Sequence, residues 1–437
     1  MSLIKTFRGA VMAGGLSLLA AAPAWAQEAV AAAPVPDKGD TAWMMTATVL
    51  VLLMILPGLA LFYGGLARSK NMLSVMTQVG AAAALAMLVW VMWGYTMAFG
   101  DGGNAVIAGF GKAFLAGITP DSVVETIPEY VFVSFQMTFA AITTALVLGG
   151  VVERIKFSAV MVFTVVWLTL VYFPIAHMVW AGNGYFAEMG ALDFAGGTVV
   201  HINAGVSALV ACIILGKRRG YPSEPMPPHS LTLTGVGTGL LWVGWFGFNA
   251  GSALEANGSA GLAMINTFVA TASAGLFWML AERVAGHKAS ALGFCSGIIA
   301  GLVAVTPAAG NSGPFGAIVL GGVASVLCFL AVSKLKPKLG YDDSLDAFGI
   351  HGIGGIIGAI GTGIVFAPGL GGPGDLDFDM AGQLLVQIEA VLATIVWASV
   401  GTAIAIFVAK LLTGLRVSPD VEQEGLDLGE HGERAYN

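Results

Sequence analysis

Between residues 43 and 409 the chain alternates long apolar runs with short polar gaps. A membrane-spanning helix needs about 20 predominantly apolar residues. Runs of that kind lie near 43–66, 71–98, 131–151, 157–181, 193–216, 231–252, 262–281, 289–307, 315–333, 346–366 and 383–409. The pattern predicts an all-α membrane protein with eleven transmembrane helices. Because five is odd, runs one to five and six to ten have opposite orientations. The expected architecture is therefore a 5+5 inverted repeat plus one helix, with a site near the bilayer midplane between the halves. The clearest local echo between them is Asp193 to His201 against Asp346 to His351, each an acid at a helix start followed by a buried histidine.

The polar gaps add an orientation. Lys5 and Arg8 precede an apolar stretch over 11–22 and then Ala24-Trp25-Ala26, the pattern of a signal-peptidase site. Residues 1–26 are expected to be a cleaved signal peptide, with the mature chain beginning near Gln27; an uncleaved signal anchor is the competing reading. Residues 27–42 then form a short periplasmic segment, 43–409 the transmembrane domain and 410–437 a cytoplasmic tail. With the mature N-terminus outside, alternate gaps on the cytoplasmic side hold Arg68, Lys70, Arg154, Lys156, Lys217 to Arg219 and the later basic residues through Arg416. Only Lys38 and Lys112 remain outside, among acids such as Asp101, Asp121, Glu125, Glu129, Asp375, Asp377 and Asp379. That asymmetry satisfies the positive-inside rule at every turn, so helix count and orientation support each other; the expected location is a bacterial inner membrane.

Composition narrows the function classes. The 437 residues are 57% hydrophobic and only 10% charged, against about 25% charged in a soluble domain, so lipid is the main solvent. The net charge of -7 comes from 26 acids and 19 bases crowded into the gaps, which argues against a nucleic-acid partner. The 61 glycines suit helices that approach closely. Cys212, Cys295 and Cys328 have no paired spacing, so neither a disulfide nor a metal site is expected from them. Without a phosphate loop, an HExxH helix or a GxSxG elbow, a hydrolase or ATP-driven pump has no visible chemistry. The chain does not read as an enzyme.

Ionisable groups inside a span are functional candidates by default. His201 is about 12 Å deep in its run and His351 about 8 to 10 Å deep in its own, from a rise of 1.5 Å per residue. A meeting of the two rings near mid-membrane is compatible with that, as are two separate histidines each bonded to a backbone carbonyl. Around His351 the run is rich in glycine, with a GxxxG at Gly354 and Gly358 that favours close approach to a neighbour. Phe135 and Phe139, at i and i+4, share one helix face; Trp245, Phe248 and Ser252, at i, i+3 and i+7, share another. Ser252 and Trp180 both fall at outer ends, where a hydroxyl acceptor and an indole face suit a small cation, although a tryptophan there also serves as a lipid-belt anchor. His177 reads as an interfacial side chain. Asp193 and Asp346 read equally as helix N-caps.

The stretches PIAHMVW (174–180), GALDFAGGTVVHINAG (190–205), WFGFNAGSAL (245–254), DAFGIHGIGGIIG (346–358) and DVEQEGLDLGEHGERAYN (420–437) resemble the ammonium transporters of the Amt/Mep/Rh family, on the bacterial Amt side. The similarity runs from about residue 43 to the last residue. It implies the ammonium-transporter fold, a homotrimer with one pore per subunit, and no cofactor. By resemblance, Phe135, Trp180 and Ser252 recruit ammonium or methylammonium, Phe139 and Phe248 gate the mouth, and His201 and His351 line the pore. Asp193 and Asp346 are implied to be structural supports. A PII-type regulatory protein at the cytoplasmic face and membrane lipid are the implied partners. Two other classes stay open on the residues alone: a haem protein with the two histidines as axial ligands, and a channel for another small neutral solute.

Overall fold

The computed structural model describes residues 35–436. The expected signal peptide over 1–26 lies outside the described residues, as do 27–34.

Eleven helices long and apolar enough to cross a membrane occupy the described residues: α1 Lys38–Leu66, α2 Ser69–Phe99, α3 Glu129–Gly150, α4 Phe157–Glu188, α5 Gly197–Leu215, α6 Leu231–Ala253, α7 Gly258–Val284, α8 Ala291–Ala308, α9 Pro314–Leu339, α10 Phe348–Val365 and α11 Met380–Thr413. Each coincides with one apolar run. A two-stranded hairpin, β1 Val123–Val124 against β2 Ile127–Pro128, interrupts the α2–α3 connection. Two short helices, α12 Pro419–Glu424 and α13 Leu426–His431, follow α11.

The halves α1–α5 and α6–α10 meet through equivalent members, α1 on α6 and α5 on α10, as an inverted repeat requires. Glycine sets both seams. A Cβ on Gly237 of α6 would collide with the backbone of Phe62 in α1, and one on Gly205 of α5 with the backbone of Gly352 in α10. The GxxxG pair serves a different neighbour than its histidine: Gly354 and Gly358 press on Val303 and Ala304 of α8, while Gly355 lies against His201 and Ile202. Helix α11, with 34 residues, is about 51 Å long at 1.5 Å per residue. That exceeds the roughly 30 Å hydrocarbon core; it runs across α4, α5 and α10.

One end of the bundle carries the basic connections and the tail; the other carries the acidic ones. At the basic end a buried ion network joins four connections. Glu153 pairs with Arg68 and Arg218, each at 2.9 Å, and Arg218 reaches Asp342 at 2.8 Å. The tail closes on the same end: Asp427 accepts the amides of Leu73 and Ser74 at the start of α2 at 3.1 and 2.7 Å.

Candidate functional site

Three cavities follow one another through the molecule. The first, about 370 Å³, opens at the acidic end and is lined by Phe135, Phe139, Trp180 and Ser252 among others. The second holds only about 10 Å³ between apolar walls, with Phe248, His201 and His351 among its lining; a single water needs about 10 to 15 Å³. The third, about 550 Å³, opens at the basic end and reaches His351 from the other side.

The outer chamber is built by helix ends. Ser252 lies in a tight turn over Ala250–Ala253, just past the regular part of α6. Its hydroxyl donates to the Phe248 carbonyl at 2.8 Å, leaving its lone pairs free. Trp180 closes the regular part of α4. Its indole N–H donates to the Asp193 carbonyl at 2.9 Å, and its ring meets Phe139 edge-on at 5.7 Å. It is half-buried inside the protein rather than a lipid-belt anchor. Phe139 and Phe248 stack at 4.2 Å between centroids, with 25° between planes, and both are fully enclosed. This stack separates the first cavity from the second.

His201 and His351 are brought together, Nδ1 to Nδ1 at 3.3 Å, with centroids 5.4 Å apart and planes 23° from parallel. Trp245 stacks on His201 with ring centroids 5.4 Å apart. The alternative of two separate rings on backbone carbonyls is not what is found: among the described residues their hydrogen bond is to each other. Each histidine sits on a widened π-helical turn, Gly197–Ile202 in α5 and Phe348–Gly352 in α10, a local form enriched at functional sites. Two rings joined edge to edge by a direct nitrogen–nitrogen hydrogen bond leave no room for the macrocycle that axial haem ligands would flank.

Both turns are held by a carboxylate. Asp193 accepts the amides of Gly196, Thr198 and Val199 at 3.0 to 3.1 Å, and that of Gly197. At α10 the equivalent group is Asp343, not Asp346: Asp343 accepts the amides of Ala347 and Phe348 at 3.1 and 2.8 Å. The N-cap reading of Asp346 is thus corrected. Asp346 sits at φ 59° and pairs with Lys336 at 2.6 Å, on the wall of the third cavity. The signal was available, since Asp343 precedes His351 by the same interval as Asp193 precedes His201. Burial pushes the Asp343 carboxyl up to about 6, against the pull of the Lys336 ammonium.

His177 is also corrected. It is fully buried rather than interfacial, its ring bridging the carbonyls of Ala98 and Asn104 at 2.7 and 2.8 Å, so it staples α2 and the following loop to α4. Gln136 of α3, which the sequence did not single out, lines the first cavity beside Phe135.

Residues 42–436 match the family described as the Ammonium Transporter Family. The chain is 49% identical over 406 residues to an ammonium transporter of Aquifex aeolicus, covering 92% of this chain and 94% of that one. It is 46% identical to an ammonium transporter of Bacillus subtilis, with 92% and 99% covered. Among solved structures it resembles Mep2 of Saccharomyces cerevisiae at 37% identity, 88% of each chain and a TM-score of 0.80. It also resembles a sensor Amt protein at 28% identity, 90% and 98% coverage and a TM-score of 0.83.

Proposed function

Because the chain belongs to the Ammonium Transporter Family, a family of membrane transporters rather than enzymes, we propose that it recruits ammonium at the acidic-end chamber, where the ion gives its proton to the water of that open chamber, and conducts the resulting ammonia past the two histidines. The observation that carries this reading is the passage of about 10 Å³ between two wide chambers, apolar except for His201 and His351. Burying an unpaired ion of that size has a Born cost on the order of 20 kcal/mol, so the intact cation is rejected. Potassium, of similar size, has no proton to shed, whereas ammonium can lose one and continue as a neutral molecule. Selection is then by chemistry, where diameter alone fails.

Each residue has a part in this reading. Ser252 accepts a hydrogen bond from the cation, and Phe135 and Trp180 offer π faces. The Phe139–Phe248 stack opens for each passage. Asp193 holds the turn that presents His201, and Asp346 with Lys336 fixes the approach to His351. The histidines share one proton, one nitrogen donating while its neighbour accepts, and give ammonia its only polar footing in the passage.

The acidic end faces the periplasm in this reading, supported by the charge asymmetry of the connections. The chain sits in the inner membrane after loss of its signal peptide. It works as a homotrimer, and a PII-type protein binds the tail-bearing end, where the third cavity opens.

Radiolabelled methylammonium uptake in cells stripped of their own transporters tests the proposal. Wild type should accumulate label, and Ser252→Ala and Trp180→Leu should raise half-saturation several-fold, as expected for about 1 kcal/mol of lost cation contact. No uptake above background would instead favour a pore for another neutral solute, or a non-conducting sensor.

A further inference from the structure

An ammonium ion has four N–H donors and no acceptor, so a chamber that strips its water must return acceptors. The rings of Phe135, Phe139 and Trp180 supply π faces but no lone pair. The Trp180 N–H is spent on the Asp193 carbonyl. Lys112 also lines this chamber, but it is a donor only, and its charge is matched by Glu129 at 2.7 Å. Glu125 and Asn183 stand exposed at the rim. Close to the stack, Ser252 offers its oxygen, a single acceptor for a tetrahedral donor.

Gln136 lies on α3 between Phe135 and Phe139, on the wall of the same chamber. Its residue is 9% exposed, and among the described residues its buried Oε1 has no hydrogen-bond partner. An amide oxygen left unpaired at that depth costs about 1 to 3 kcal/mol, and such orphans call for an explanation. Glutamine is also expensive to hold on an apolar helix. A leucine of similar volume would cost nothing here if the position served packing alone.

We propose that Gln136, with a half-turn of its amide that brings the buried oxygen round to the chamber, is a second hydrogen-bond acceptor for the ammonium ion in addition to Ser252, and that it sets how tightly the chamber captures its substrate. This inference rests on the ammonium reading above. A neutral amide is well matched to such a role, because it accepts from the cation without a fixed negative charge that would also retain potassium and slow release into the passage.

Purified protein in proteoliposomes, with ammonium-evoked currents on a solid-supported membrane, provides the test. Gln136→Leu should raise the half-saturation about tenfold, equivalent to about 1.4 kcal/mol, with little change in maximal current. Gln136→Glu keeps the size and strengthens the acceptor, so its half-saturation should fall at neutral pH. Gln136→Asn keeps the amide but withdraws it by one methylene, and should move in the same direction as leucine. A packing role predicts that leucine and glutamate shift the value the same way; that outcome, or a leucine variant within twofold of wild type, overturns the assignment. A wild type silent to ammonium overturns both this inference and the reading beneath it, whereas normal wild-type currents with an indifferent leucine variant overturn this one alone.

Discussion

His201 and His351 meet through the same ring nitrogen, Nδ1, at 3.3 Å. Two donors or two acceptors cannot face each other there, so one imidazole donates and its partner accepts. Replacing either by an acid, His201→Asp or His351→Glu, puts a carboxylate into an otherwise apolar passage and lowers the cost of a bare cation. Potassium exclusion should weaken, visible as potassium currents in liposomes that wild type does not carry; unchanged exclusion would count against a dry passage. The residues of this pair were legible in sequence because an ionisable group inside an apolar run stands out against its surroundings. Asp343 was not, since it lies in a polar connection beside Asp342 and Asp346, and only the path of the loop decides which carboxylate reaches the amides. Gln136 escaped notice for a different reason: being unpaired is a property of its neighbours, not of its own identity.

At the scale of elements, α5 and α10 are the same device used twice. A carboxylate secures the first amides, a π-helical turn carries the histidine, and a glycine admits the opposite backbone. The first two parts offset a cost, because a widened turn gives up regular hydrogen bonding that the carboxylate partly restores. Periodicity at 3.6 residues per turn cannot foresee such a turn, which is why depth alone left the meeting of the rings undecided. Gly205 is the weak point. Gly205→Ala places a methyl against the backbone of Gly352, and overpacking of this kind costs about 1 to 3 kcal/mol. The variant should lower the unfolding temperature and depress ammonium transport more than Gly354→Ala, whose methyl meets the side chains of Val303 and Cys328; equal losses in the two variants would show that the seam has no special role.

For the molecule as a whole, the apolar runs gave the number of helices because the bilayer imposes a minimum length on every crossing, whereas helix ends such as Glu188 of α4 and Leu339 of α9 run past the apolar stretch. The ties between connections were invisible, since charges far apart in sequence give no sign of pairing. Arg218 is central to these ties. Burial alone would raise the carboxyls of Glu153 and Asp342, but the guanidiniums beside them hold both below the usual carboxylate range. A depressed folded value means that their contribution is complete above the unfolded pKa, near 4, and fades only as pH falls through the lower folded value. The stability these two carboxylates add in wild type should hold from neutral pH down to about pH 4 and be lost below, read as the difference in unfolding temperature between wild type and Arg218→Gln. Arg218→Gln takes the guanidinium from Asp342 and one of two from Glu153, at a cost of about 3 to 5 kcal/mol at neutral pH, and because protonation relieves a buried unpaired carboxylate, its deficit against wild type should narrow as pH falls below about 4; a deficit that does not change with pH would remove Arg218 from its central place.

The backbone contact between Gly205 and Gly352 constrains motion as well as stability. A carrier that alternates its openings must slide one half past the other, and here any slide would shear this seam and part the two rings that straddle it. On the function proposed above, the protein stays still while its cargo moves. Its throughput should answer to the breathing of a few side chains rather than to the stiffness of the surrounding bilayer, more a turnstile in a fixed wall than a revolving door.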